Sequence, residues 1–263
     1  MLGRRLLTAL TGIPIIVVGV WLGGEVLLVL VAALIVLGLW EFYTLVDLAG
    51  YAPSRAVGVV AGVALAVLAY LGERRGVLAV LAAVVLYVLS TQLSPNRGRA
   101  LANAAGTILG VLYVGYFATH LLLLRQLRQG MAFTFLVFGT VWATDAAAYF
   151  VGRWLGRRKL LPQVSPNKTV EGATAGVVCG VLGALAVGMG FGIPPGMAAV
   201  AGALCSTAAV AGDLWESALK REARVKDSGT ILPGHGGFLD RFDGVLFAAV
   251  VGYYVFATWT GAL

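Results

Sequence analysis

Residues 25–46 read EVLLVLVAALIVLGLWEFYTLV. At 1.5 Å per residue a helix of this stretch crosses the roughly 30 Å hydrocarbon core of a bilayer, and it carries only Glu25 and Glu41 as charges. Working outward, residues 6–22, 56–71, 77–93, 104–124, 131–151, 172–191, 195–214 and 245–263 have the same character. Gly23-Gly24 and Gly192-Ile193-Pro194-Pro195-Gly196 read as tight turns between neighbouring spans. The whole chain agrees: 60% of its 263 residues are hydrophobic and 12% are charged. A soluble domain carries about 25% charged residues, so too little polar surface exists here to cover a soluble globule. The sequence predicts an all-α polytopic membrane helix bundle with about nine transmembrane helices. It forms one membrane domain over 1–263, with structural helices in 1–130 and the chemistry in 131–263.

Charge sets the expected orientation. With the N-terminus in the cytoplasm and sides alternating, the far side holds only Arg74, Arg75, Arg125 and Arg128 of the 19 Lys and Arg residues. That is the asymmetry of cytoplasmic positive charge. It supports a multi-pass protein with a cytoplasmic N-terminus, and it accounts for the net charge of +7 without nucleic acid as a partner. Met1-Leu2-Gly3-Arg4-Arg5 before an apolar run looks like a signal peptide. No convincing small-x-small cleavage site follows, so the first span reads as a retained anchor. Cys179 and Cys205 lie in apolar, small-residue stretches, and no Cys/His metal pattern occurs.

Eight of the 12 carboxylates fall between Asp145 and Asp243, beside the segments expected to face the cytoplasm. Asp145 lies inside a span, where an ionised group costs at least ~2.5 kcal/mol, so function or pairing is expected of it. Asp213, Glu216, Ser217 and Lys220 follow one another at i, i+3, i+4 and i+7, which puts them on one helix face. A loop with Lys226, Asp227, Gly229, Pro233, Gly234, His235, Gly236 and Gly237 follows. Its glycines suit close backbone approach to phosphate oxygens. Asp240 and Asp243 are expected on one face where the last helix begins. Carboxylates mixed with Lys and Arg point to Mg²⁺ together with phosphates. Ser165-Pro-Asn-Lys168-Thr169-Val-Glu171-Gly172 is expected to open the seventh span as an anion site, with Lys168 and Glu171 spaced to pair. Glu41 and Asp47, the carboxylates near a cytoplasmic helix end in the front half, read mainly as interfacial.

The stretch Ser217 to Asp243 resembles the diagnostic motif of the bacterial phosphatidate cytidylyltransferases, also called CDP-diglyceride synthases. Gly212-Asp213-Leu-Trp-Glu216-Ser217 and Ser165 to Gly172 resemble that family too, and so does the Asp145 segment, with Ala146-Ala147 in place of Thr-Gly. The likeness is close from about Trp142 to Gly252 and extends to the front half in hydropathy only. It implies an enzyme of phospholipid biosynthesis that joins CTP and phosphatidic acid, a membrane lipid, to give CDP-diacylglycerol and pyrophosphate. It also implies Mg²⁺, one ion or two, a place in the cytoplasmic (inner) membrane with the active site facing the cytoplasm, and a homodimer. On that reading Asp227, Asp240 and Asp243 are metal ligands, joined by Asp213 and Asp145. Lys220, Arg221, Lys226 and Arg241 hold the triphosphate or the lipid phosphate, Lys168 reaches phosphate from the seventh helix, and Gly236-Gly237 and His235 line the substrate. The lipid phosphate is already an anion, so no strong general base is needed.

Two rivals stand against it. A CDP-alcohol phosphotransferase would show a compact Asp-Gly-x2-Ala-Arg motif, which is missing from the sequence. A transporter with an intramembrane carboxylate ion site at Asp145 and Asp213 would more often show repeated halves; the halves here differ sharply in charge.

Overall fold

The computed structural model describes residues 2–93, 98–229 and 236–263, with side chains from residue 12 onward. Among them the chain forms α1 (Leu2–Leu22), α2 (Gly24–Leu48), α3 (Arg55–Tyr70) and α4 (Arg74–Thr91). Helix α5 (Ala100–Gln126) follows, wound as a π-helix over Val111–Tyr116. Next come α6 (Gly130–Trp154), a hairpin of β1 (Lys159–Leu161) and β2 (Ser165–Thr169), α7 (Val170–Phe191), α8 (Pro195–Glu222) and α9 (Asp243–Thr260). Seven of these helices are long and apolar enough to cross a membrane: α2 and α4 to α9. Helix α3 is apolar but has 16 residues, about 24 Å at 1.5 Å per residue.

Each expected span is met by a helix, with two differences that bear on function. Helix α8 runs on to Glu222, so Asp213, Glu216, Ser217 and Lys220 all lie on one continuous helix. The segment expected to open the seventh span is instead antiparallel to β1, with Lys159 opposite Thr169 and Leu161 opposite Ser165. Thr169 then caps α7, its Oγ1 accepting the Gly172 N–H at 3.1 Å. That is the usual task of a Thr at a helix start, since the first four N–H groups have no partner within the helix. Pro195 opens α8, where a missing N–H costs nothing.

The chain divides into two compact units. The first comprises Met1–Leu123 and Glu222–Asp240. Its α2, α3 and α5 pack together, and Tyr43 is buried with its hydroxyl donating to the Thr107 carbonyl at 3.0 Å. Phe42 lies edge-on to Tyr113 in the same core.

The second unit comprises Leu124–Arg221 and Arg241–Leu263. Helix α7 buries Gly172, Gly176, Gly180, Ala184 and Gly188, one small residue per turn. A Cβ on Gly172 would sit 2.9 Å from the Cα of Gly152 on α6, and one on Gly180 2.7 Å from the Ser206 Cβ on α8. Small residues let helices approach closely where lipid offers no hydrophobic drive for association. Helix α9 closes the bundle. Phe256 stacks on Phe133 of α6 with ring centres 4.1 Å apart, and Gly244 faces Ala209 of α8.

Candidate active site

In the second unit charged side chains of three helices, α6, α8 and α9, and of strand β2 come together. Lys168, the last residue but one of β2, places its Nζ 2.6 Å from Oδ1 of Asp213 on α8. The Lys168–Glu171 pair that their spacing allows is not made. Glu171 turns back and accepts the backbone N–H groups of Arg157 at 3.0 Å and Arg158 at 3.2 Å, fixing the turn that leads into the hairpin. One turn after Asp213, Glu216 is fully buried, and its Oε2 accepts from Lys220 Nζ at 2.8 Å. Asp243 begins α9, accepts the N–H of Gly244 at 2.6 Å, and lies within electrostatic reach of both Glu216 and Asp213. Asp145 on α6 lies within electrostatic reach of Asp213, Lys168 and Arg241. Its side chain is exposed in the structure of the chain alone. Arg221 is exposed and donates from Nε to the carbonyl of Val164 at 3.1 Å, tying α8 to the hairpin.

The packing above explains this gathering. The glycine ladder of α7 holds α6 and α8 at backbone distance, so Asp145, Lys168 and Asp213 meet across it. Gly212 and Gly244 let the start of α9 come against α8, which brings Asp243 to Glu216. Neighbouring carboxylates repel unless a proton or a cation lies between them. Lys220 supplies one positive charge next to them. Among the described residues no three His, Cys, Asp or Glu side chains form a ready-made metal cage. Mg²⁺ does not need one, because it binds through one or two carboxylates plus substrate phosphates and water. Asp213 and Asp243 are oxygen donors of the kind such an ion takes, one or two at a time.

The remaining expected residues lie in the first unit. Lys226 and Asp227 are exposed on the segment after α8. Asp240 is in a short 3-10 turn, Leu239–Arg241, ahead of α9 and not on it, so the expected shared helical face with Asp243 is not made. Its Oδ2 accepts the N–H of Ser228 at 3.0 Å, the Ser228 hydroxyl at 3.0 Å and the N–H of Gly237 at 2.7 Å. The Gly237 N–H, expected to reach phosphate, is therefore directed at Asp240. Gly236 has φ +80, which a residue with a side chain rarely adopts, and a Cβ there would lie 3.2 Å from Asp227 Oδ1. His235 lies outside the described residues.

Sequence reasoning missed Glu41. It lies on α2, 2% exposed, and its carboxylate accepts from the Ser228 hydroxyl and the N–H groups of Phe238 and Leu239. A carboxylate within an otherwise apolar span was its one signal. Asp47 pairs with Arg55 near the start of α3.

A bundle of membrane-length apolar helices that collects carboxylates and amines at one set of helix ends is a polytopic membrane protein with a built charged site. The cytidylyltransferase family profile matches residues 3–259, and the chain belongs to that family. It is 32% identical to a protein of Synechocystis named phosphatidate cytidylyltransferase over 95% of both chains. It is also 43% identical to one of that name from Bacillus subtilis over 58% of both chains. With one from Brucella suis it shares 44% identity over 63% of this chain and 60% of the other. The alignments with the Bacillus and Brucella proteins thus span less than two thirds of those relatives. Membership of this family favours the enzyme over the transporter.

Proposed function

We propose that this chain is a phosphatidate cytidylyltransferase of phospholipid synthesis, joining CTP and phosphatidic acid. A phosphate oxygen of the lipid attacks the α-phosphorus of CTP. A new P–O bond to the lipid phosphate forms, the bond between the α-phosphorus and its bridging oxygen breaks, and pyrophosphate leaves. The products are CDP-diacylglycerol and pyrophosphate, with no oxidant or further reactant required. The observation that carries the reading is the cluster of Lys168, Asp213, Glu216, Lys220 and Asp243, brought together by separate elements of one helical bundle.

The residues have distinct tasks. Lys168 and Lys220 neutralise phosphate charge, Lys168 by exchanging Asp213 for a phosphate oxygen when substrate enters. Arg221, Lys226 and Arg241 are exposed cations for the triphosphate or the lipid headgroup. Asp213 and Asp243, with Glu216 beside them, would hold Mg²⁺, and Asp227 would serve a second ion. Bound there, Mg²⁺ supplies charge neutralisation of phosphate oxygens and alignment of attacking and leaving groups. The protein's part is placement, which suits a phosphoryl-type transfer whose nucleophile is already an anion. The excess of Lys and Arg in alternate loops supports a cytoplasmic N-terminus and an active site facing the cytoplasm of the inner membrane. There CTP arrives from water and the lipid enters sideways. A homodimer is proposed on family resemblance alone.

The test is pyrophosphate release by detergent-purified protein given CTP, phosphatidic acid and Mg²⁺. Release that requires all three is expected. Release without the lipid, or with none of the three conditions mattering, overturns the assignment.

A further inference from the structure

Glu41 is the one carboxylate of α2 that is buried, and it lies far in sequence from every motif that carries the chemistry. Its neighbours are three donors from two short stretches about 190 residues away. Oε2 accepts the Ser228 hydroxyl at 2.9 Å and the Leu239 N–H at 2.8 Å, and Oε1 accepts the Phe238 N–H at 2.8 Å. Bonds to an ionised acceptor are roughly twice as strong as neutral ones. Ser228 links this network to Asp240, because the same hydroxyl is 3.0 Å from Asp240 Oδ2.

Two glycines of the motif make room for it. A Cβ on Gly229 would overlap Glu41 Oε1, and one on Gly237 would overlap the Ser228 hydroxyl and lie 2.6 Å from Glu41 Oε2. These glycines accommodate a protein carboxylate at closest approach. Asp227 stands immediately before Ser228, and Asp240 immediately after Leu239, so the residues pinned by Glu41 adjoin Asp227, the proposed ligand of a second ion, and Asp240, which itself binds Ser228 and Gly237.

We propose that Glu41 is a positioning residue for this reaction: it clamps the stretches 228–229 and 237–239 together and so sets where Asp227 and Asp240 point. The proposal rests on the cytidylyltransferase reading for its kinetic consequence, and on the hydrogen bonds alone for the clamp. Glu41→Gln keeps the shape but replaces one oxygen by an N–H₂, so at least one donor faces another donor.

The experiment has two arms on the full-length protein in detergent. The first is hydrogen–deuterium exchange without substrate or metal, followed in peptides over 225–229 and 236–242. Exchange in both is expected to rise about tenfold in Glu41→Gln, with peptides of α6 to α9 unchanged. Ser228→Ala is expected to give a smaller rise in the same peptides. The double variant should be no worse than Glu41→Gln alone, because the two changes remove parts of one network. The second arm is kinetics: kcat is expected to fall about 10- to 100-fold with KM for phosphatidic acid unchanged. Unchanged exchange in the two peptides would overturn the clamp. So would a rise spread equally over α6 to α9, which marks general loosening. A kcat within about twofold of the parent despite faster loop exchange would overturn the positioning role. Should the unaltered protein itself release no pyrophosphate, the proposed function fails while the exchange arm still decides the clamp.

Discussion

Lys220→Met separates stability from chemistry in the charged cluster. Lys220 Nζ lies 2.8 Å from Glu216 Oε2, with the two side chains 11% and 0% exposed. At that distance and an effective dielectric of about 20, the attraction is about 6 kcal/mol, much of it offset by the cost of taking both ions out of water. Removing one partner is worse than never having the pair, since Glu216 stays buried and now meets Asp243 without the ammonium. Breaking a buried pair in this way costs about 3–5 kcal/mol. Met fills nearly the volume of the Lys stem, so little of that cost comes from a cavity. With a few degrees per kcal/mol for a chain of this size, the midpoint of heat inactivation should fall by about 10 °C. The assay is size-exclusion chromatography of detergent-purified protein after stepped heating. Glu216→Gln combined with Lys220→Met removes both charges, and stability should return to within about 1 kcal/mol of the parent, while turnover stays lost. A Lys220→Met midpoint within about 2 °C of the parent, or a double variant no better than the single one, would refute the argument.

Asp213→Asn should behave in the opposite way. Its pair with Lys168 has side chains 38% and 26% exposed, so solvent screening leaves about 0–1 kcal/mol of stability at stake, while pyrophosphate release should drop about 100-fold or more. Thr169→Ala removes the cap of α7 and should cost about 1 kcal/mol, read as a small fall in the same heating series. Gly180→Leu forces a side chain against Thr144 and Ser206 and should cost about 1–3 kcal/mol or abolish the folded chromatographic peak. Gly190→Ala, with nothing within 4 Å of the new Cβ, is the control that should leave the peak in place.

The helices were legible because an apolar run of bilayer length leaves few alternatives. The shared face of Asp213, Glu216 and Lys220 was legible for a similar reason: helical spacing is local, and α8 is long enough to carry it whole. The hairpin was not, because Ser165-Pro-Asn-Lys168-Thr169 has the composition of a helix cap and only pairing with Lys159–Leu161 makes it a strand. Lys168 chose Asp213 over the nearer Glu171 because the strand points it at α8, a choice that spacing along the chain does not encode. Asp240 and Asp243 show the limit of periodicity. Three residues apart, they would share a face on a helix, but the helix begins only at Asp243. Glu41 was the least visible, since its partners are 187 to 198 positions away and a lone Glu near a span end reads as interfacial.

Asp243 and Asp227 are proposed to act in the reaction itself and not only in holding the protein together. The most direct measurement is turnover of CTP and phosphatidic acid by Asp243→Asn and Asp227→Asn, each purified in detergent and shown by size-exclusion chromatography to be folded. Turnover is expected to fall at least about 100-fold in both, with the folded peak retained. Folded protein with parental turnover in both variants would contradict it.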